Sequence, residues 1–253
     1  MDLCEITNNR NRHPWELTRT RILINILQKQ LPPETKIRAL DVGCGDAFIS
    51  DKLQKSIGLE SYDGVDINLS DSQIRQLSKI ENNIILHNKF NGLSHEYYNL
   101  VLILDVIEHV ENDYAFLDDI LNKYAAPNAL ILLTAPAFNF LFSSHDLFLG
   151  HFRRYSLKQL IALIHNLGYE CLTSGYMFFS LIPIRLVWSY YEKLGHQKHY
   201  KKKGIGHWKQ GRMTTKIIEL FLYIDNRISL GLNKIGIKLP GLTLWALCRK
   251  QQS

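Results

Sequence analysis

Leu40-Asp41-Val42-Gly43-Cys44-Gly45-Asp46 stands where a short β-rich run, 37–42, gives way to a helical pattern over 46–57. Glycines at 43 and 45 let the backbone turn sharply and bring N–H groups at the next helix's N-terminus within reach of a ligand. A second β-rich run ends at Val65-Asp66, 21 residues after Gly45, where an acid bonds ribose hydroxyls in a nucleotide site. In a dinucleotide fingerprint G-x-G-x-x-G the third glycine would fall at position 48, which is Phe48. That bulky side chain opposes a pyrophosphate lying across the helix start and disfavours a nicotinamide-dependent oxidoreductase.

The same alternation continues on both sides of this loop. A helical pattern over 14–31 precedes it and ends at Pro32-Pro33, which cannot continue a helix. After it come runs at 61–67, 83–87, 100–105 and 129–134, with helical patterns at 70–80 and 112–124 between them. Val101-Leu102-Ile103-Leu104 and Leu130-Ile131-Leu132-Leu133 are apolar at every position, as parallel strands covered on both faces must be. A helix over 156–167 opens on a capping box, Ser156 with Gln159, and stops at Gly168. A sixth strand follows at 169–179 and a seventh at 242–248. The pattern predicts an α/β fold with a doubly wound sheet.

Residues 180–240 are too many for a connection, which is ordinarily about 4–6 residues long, so they are expected to form a folded insertion. Helical patterns at 181–194 and 214–232 flank a segment rich in Lys, His and Gly. The domain expected is therefore 1–179 with 241–253, carrying a basic, aromatic helical insertion at 180–240.

The 253 residues carry 30 Lys plus Arg against 24 Asp plus Glu, a formal charge of +6, and are 46% hydrophobic. That much apolar material excludes a disordered or low-complexity chain. From Tyr191 to Lys216 there are eight basic residues and one acid, so this segment alone sums to +7 and the rest of the chain to −1. Cys4, Cys44, Cys171 and Cys248 have no C-x-x-C or zinc-like spacing and read as reduced thiols. With no apolar leader in the polar N-terminus and no run of the ~20 residues that span a bilayer, a cytoplasmic protein is expected.

With these residues in view the chain resembles the class I S-adenosylmethionine-dependent methyltransferases. Asp41-Val42-Gly43-Cys44-Gly45-Asp46 is similar to their first motif, Asp66 to their ribose-binding acid, and Asp105-Val106-Ile107-Glu108-His109-Val110 to the D-V-x-E-H-x segment after their fourth strand. Trp15-Glu16-Leu17 and Gly150-His151-Phe152-Arg153-Arg154-Tyr155-Ser156 resemble bacterial members found among cell-envelope and lipid- or sugar-modifying genes. The resemblance implies a Rossmann-like sheet of seven strands, with the last antiparallel and paired to the sixth, and S-adenosylmethionine as cofactor. The cofactor site it implies takes Trp15 ahead of strand one and Asp41, Gly43, Cys44 and Gly45 in the loop. Asp66 and Ile67 join from strand two, Asn88, Lys89 and Phe90 from strand three, and Asp105 and Val106 from strand four. Two departures stand out: Ala47 replaces a third glycine, and Asn88-Lys89-Phe90 replaces an acid that meets the adenine amine.

Methyl transfer from a sulfonium is an in-line displacement that needs positioning, exclusion of water and, for an oxygen nucleophile, a base. His109, His145 and His151 are the candidate bases or substrate-orienting groups, with Arg153 a candidate clamp for a phosphate or carboxylate. For His109 a structural brace competes with a substrate-facing role. For the Arg153-Arg154 pair the competitor is a salt bridge to an acid such as Asp146. His145, Asp146 and His151 match no firm ligand spacing, and no metal is expected.

Aromatic and apolar residues beside a lysine cluster, across 176–216, are what an interfacial helix uses on an anionic membrane, here the inner face. Their competitor is a solvated loop, and nucleic acid ranks last. The expected function is methyl transfer to a small-molecule, lipid-linked or sugar acceptor, at oxygen. The alternatives are a nucleic-acid methyltransferase and a methyltransferase-like binding module without activity.

Overall fold

The computed structural model describes residues 12–31, 36–77, 83–193, 208 and 210–250. Cys4 and the lysines at 198 and 201–203 lie outside them.

Helix α1 (Pro14–Gln28) leads into β1 (Ile37–Val42), α2 (Phe48–Ile57), β2 (Leu59–Val65), α3 (Asp71–Leu77) and β3 (Ile84–His87). Next come β4 (Tyr98–Leu104), α4 (Asp113–Tyr124), β5 (Ala125–Pro136), α5 (Ser144–Leu149), α6 (Leu157–Asn166) and β6 (Tyr169–Met177). Helices α7 (Ile182–Lys193) and α8 (Arg212–Asn233) precede β7 (Thr243–Lys250). The seven strands form one sheet in the order β3-β2-β1-β4-β5-β7-β6. β7 runs antiparallel to both β5 and β6, and the other pairs are parallel. This is the Rossmann-like arrangement expected, with the last strand antiparallel.

The strands that are apolar at every position send alternate side chains to opposite layers. Leu100, Leu102 and Leu104 of β4 pack with α1 and α2 residues such as Ile22 and Leu53, while Val101 and Ile103 pack with Leu117 and Leu121 of α4 and Leu160 of α6. The turn between β1 and α2 is tighter than a helix from 46 would make it. Ala47 takes the left-handed conformation at φ 58°, so α2 begins only at Phe48. β6 likewise ends at Met177, two residues early, because Phe178 is left-handed at φ 67°. The capping box of Ser156 and Gln159 opens α6 as expected. Helix α5 was not expected: Ser143 and Asp146 form a second capping box there.

The two long helices between β6 and β7 lie close to their expected limits. Helix α8 packs along α1 and β6, and its Leu222 belongs to the same buried cluster as Ile22 and Trp245. No helix among the described residues is long and apolar enough to cross a membrane. Cys44, Cys171 and Cys248 are all free.

Candidate functional site

The C-terminal ends of β1, β2 and β4 open into a cleft of about 360 Å³, lined by Gly43, Asp66, Ile67, Phe90, Val106 and His109 among others. This is where parallel α/β sheets bind their ligands. Gly43, at φ 74°, shapes it: a Cβ there would lie 2.5 Å from Val106 Cγ2. Only glycine lets the β1 turn and the segment after β4 approach this closely. The Asp66 carboxylate accepts the Gly45 N–H at 3.0 Å on one oxygen and the Asn68 N–H at 2.9 Å on the other. It thereby ties the glycine loop to the β2 end, and each oxygen keeps a lone pair for a ligand in the cleft. Phe90 also lines this cleft and stacks on Tyr124, with ring centroids 5.7 Å apart.

Behind Gly43 a second, smaller cavity of about 30 Å³ touches Glu16, Arg19, Asp41, Cys44, Asp46 and Phe48. Asp41 is 1% exposed; its Oδ2 accepts the Tyr62 hydroxyl and its Oδ1 is buried without a partner among the described residues. Burial pushes its carboxyl up to about 7, the Tyr62 hydrogen bond opposing the shift. Arg19 donates to Thr134 Oγ1 at 2.7 Å and pairs with Asp105 Oδ2 at 2.7 Å, yet its Nε is buried without a partner among the described residues. Glu16 Oε2, Asp41 Oδ1 and Arg19 Nε, all buried without a hydrogen-bond partner among the described residues, thus belong to three residues that line the same small cavity. The methionyl end of S-adenosylmethionine, with its ammonium and carboxylate, has the complementary groups, and the residues fit this cofactor.

Asp105 turns the chain at the end of β4 with φ 56°. It is held there by Thr134 Oγ1, which donates to Oδ1 at 2.8 Å, and by Arg19. Glu108, two residues before the end of the EH segment at Val110, is 1% exposed; burial first, and Asp105 second, push its carboxyl well above the usual range.

Not every expected residue reaches these cavities. Asp41, Gly43, Cys44, Asp66, Ile67, Phe90, Asp105, Val106 and His109 line one or the other. Gly45 contributes its N–H to Asp66. Trp15 packs on Phe178, with centroids 5.5 Å apart, and carries Arg19 over its ring. Asn88 donates to Asp71 Oδ1 at 2.9 Å, and Lys89 is exposed; neither lines either cavity. Arg153 bonds the Glu111 carbonyl at 2.6 Å and pairs with Asp113 at 3.3 Å.

The Arg154 salt bridge is the one weighed from the sequence: it grips the buried Asp146 through Nε at 2.8 Å and Nη2 at 3.1 Å. His151 Nδ1 joins the same carboxylate at 2.9 Å, while the His145 ring stacks on Phe148. Asp146 is held well below the usual range by His151 and Arg154, which outweigh its burial.

Arg19 escaped the sequence reading, and Glu108 was quoted there only within the D-V-x-E-H-x segment, without a role of its own. Arg19 had a signal, because it falls in the Trp15, Ile22, Ile26 stripe of α1, where a cation has no structural purpose.

Residues 15–174 match the family model described as a methyltransferase domain. No curated protein matches the chain at a significant level. Among solved structures, the N-methyltransferase NodS from Bradyrhizobium japonicum WM9, in complex with S-adenosyl-L-homocysteine, superposes with a TM-score of 0.56 at 12% identity, over 99% of this chain and 95% of that one. The plantazolicin methyltransferase BpumL gives 0.55 at 15% identity over 94% and 85%. The [4+2]-cyclase SpnF gives 0.56 at 14% identity over 98% and 87%. At these identities the likeness is one of fold.

Proposed function

Because the chain belongs to the methyltransferase-domain family and is an S-adenosylmethionine-dependent methyltransferase, we propose that it methylates a small-molecule, lipid-linked or sugar acceptor, at oxygen, on an anionic membrane surface. The cofactor supplies an electrophilic methyl group. In this reading Asp66 receives the ribose hydroxyls, Ile67 and Phe90 bracket the adenine, and Arg19 and Asp41 hold the methionyl carboxylate and ammonium. His109, on the wall of the larger cleft, then stands nearest the acceptor.

The observation that carries the acceptor class is the outward face of α7 and α8. On α7, Ile184, Val187, Trp188 and Tyr191 are exposed; on α8, Ile217, Leu220, Phe221, Ile224 and Ile228 are. Both sets recur at helical spacing, so each forms a continuous apolar stripe in contact with solvent. Exposed apolar area of this kind marks an interaction surface. In sequence the two helices flank Lys198, Lys201, Lys202 and Lys203, and a lysine cluster next to an apolar helix face matches an anionic bilayer in charge and in depth.

Two measurements test this. Isothermal calorimetry is expected to show S-adenosylmethionine binding that Asp66→Ala weakens more than tenfold; an intact protein that binds none removes the cofactor assignment of these residues. Vesicles containing phosphatidylglycerol are expected to carry the protein upward in a density gradient at low salt. Changing Lys201, Lys202 and Lys203 together to Glu should leave it at the bottom, and flotation unchanged by that substitution defeats the membrane reading.

A further inference from the structure

Glu108 and His109 lie in the short 3-10 turn Ile107–His109 after β4, and His151 lies in the segment after α5. The Phe152 N–H donates to the Glu108 carbonyl at 2.8 Å and binds the two segments together. One ligand-capable atom from each of Glu108, His109 and His151 lies within 4.8 Å of the other two. The two imidazoles meet edge to face with centroids 4.6 Å apart.

Two further features of this trio point to a cation. Glu108 Oε2 is buried and has no hydrogen-bond partner among the described residues. Leaving such an atom unpaired carries the full desolvation penalty of the group, and a cation beside it removes that cost. His151 spends Nδ1 on Asp146, which leaves Nε2 as its ligand atom. A carboxylate on the far nitrogen is what orients a metal-binding imidazole and raises its basicity. Asp146 is itself fixed by Arg154 and the Ser143 N–H, at 2.8 and 2.9 Å, so the outer layer is already built.

We propose that Glu108, His109 and His151 bind one divalent transition-metal ion at the edge of the methyl-transfer cleft. Two imidazoles and one carboxylate suit Mn²⁺, Fe²⁺, Co²⁺ or Zn²⁺, whereas Mg²⁺ and Ca²⁺ prefer all-oxygen sites. Three protein ligands leave coordination positions open, and His109 also lines the cleft, so an acceptor oxygen can fill one of them. This consequence rests on the reading of the chain as an oxygen methyltransferase. A hydroxyl held by the ion releases its proton to solvent, its oxygen forms the bond to the methyl carbon, and the carbon–sulfur bond breaks with its electron pair on sulfur, leaving a neutral thioether. The lack of a firm spacing among His145, Asp146 and His151 does not bear on this trio, whose acid and first imidazole come from 42 residues upstream of His151 and beyond.

The full-length protein, stripped with chelator and dialysed, is titrated with CoCl2 and followed by visible absorption, and with MnCl2 followed by the loss of the free-ion electron paramagnetic resonance signal. One ion per chain is expected. Glu108→Gln, which keeps size and shape, and His151→Ala should each weaken binding at least tenfold. Asp146 stays in place in both variants, and circular dichroism and melting in chelator report whether each folds. Binding of neither ion by the intact protein at 1 mM, or equal affinity in folded Glu108→Gln, overturns the site. S-adenosylmethionine calorimetry on the same samples separates the two ideas: metal without cofactor binding defeats the methyltransfer reading of the cleft, and cofactor without metal defeats the metal site.

Discussion

Asp41 illustrates how one side chain serves the sheet and the site together. It lies one residue before the end of β1 among apolar neighbours, keeps Tyr62 hydrogen-bonded and leaves Oδ1 buried without a partner among the described residues. Its raised folded pKa gives a stability term with a definite sign. The term is complete below the ordinary carboxylate range near about pH 4, declines as pH rises and is gone above about 7, where the buried group must ionise. Its full size is on the order of 4 kcal/mol. Asp41→Asn keeps an acceptor for Tyr62 and cannot ionise, so in cofactor-free protein its melting temperature should lose this fall between pH 5 and pH 8. Scanning calorimetry at the two pH values checks it; an unchanged slope in the variant means that Asp41 is not the titrating group. S-adenosylmethionine affinity should drop in the same variant, since an amide oxygen can accept a hydrogen bond from an ammonium but carries no charge to pair with it. Asp66, Gly43 and Gly45 were legible because their roles lie in backbone geometry, which spacing encodes. Arg19 was less so, since only the three-dimensional approach of α1 to the end of β4 gives it Asp105 and Thr134 as partners.

At the scale of the element, α8 is apolar on both sides and polar at one point of its inward face. Leu222 packs into the core there beside the buried Asp225, Asn226 and Ser229, while Ile217, Phe221, Ile224 and Ile228 point outward. The cause lies in β6. Phe178 breaks the strand in a left-handed conformation and leaves N–H groups that need partners. Asn226 Oδ1 accepts the Phe178 N–H at 3.2 Å, and Asp225 Oδ1 accepts the Ser180 N–H at 3.1 Å. Asn226→Ala therefore strands a buried donor and should destabilise the protein by about 1–3 kcal/mol, a fall in melting temperature of roughly 2–12 °C for a chain of this size. Equilibrium urea unfolding measures it, and a loss under half a kilocalorie, a margin typical of uninvolved surface positions, would falsify the capping role. The helix itself was readable from its periodicity, within two residues at either end. Which face turns inward was not, because period fixes an apolar stripe and says nothing of whether the neighbouring element demands polar partners. Helix α5 was missed for a related reason: Asp146 was weighed only with His145 and His151 and as a salt-bridge partner, although with Ser143 it makes an S-x-x-D helix start.

Over the whole molecule, charge and apolar exposure gather in the same stretch of chain. Residues 191–216 sum to +7 and the remainder to −1, and the exposed stripes of α7 and α8 adjoin that segment in sequence. The doubly wound sheet followed from the alternation of apolar runs and helices, and its antiparallel last strand from the family resemblance, whereas this surface needed both the sequence and the fold, since the helices alone are ordinary in hydropathy. A surface with two attractive components should respond to two separate perturbations. Basic residues contribute about 1 kcal/mol each near an anionic bilayer and are screened within a Debye length of roughly 3 Å at 1 M salt. Replacing Lys201, Lys202 and Lys203 by Gln should then weaken binding to phosphatidylglycerol vesicles by about a hundredfold at low salt, with a shallower salt dependence carried by the five basic residues that remain in 191–216. Replacing Ile217, Phe221 and Ile224 by Ser removes the apolar component instead, and should abolish the binding that survives at 0.5 M salt while leaving the low-salt electrostatic attraction in place. Co-sedimentation across a salt series measures both variants. If the serine variant binds as the parent does at high salt, the exposed face of α8 is not in the bilayer. A dimer that forms in the parent and dissolves in the serine variant, seen by light scattering, would instead assign that face to a second copy of the chain.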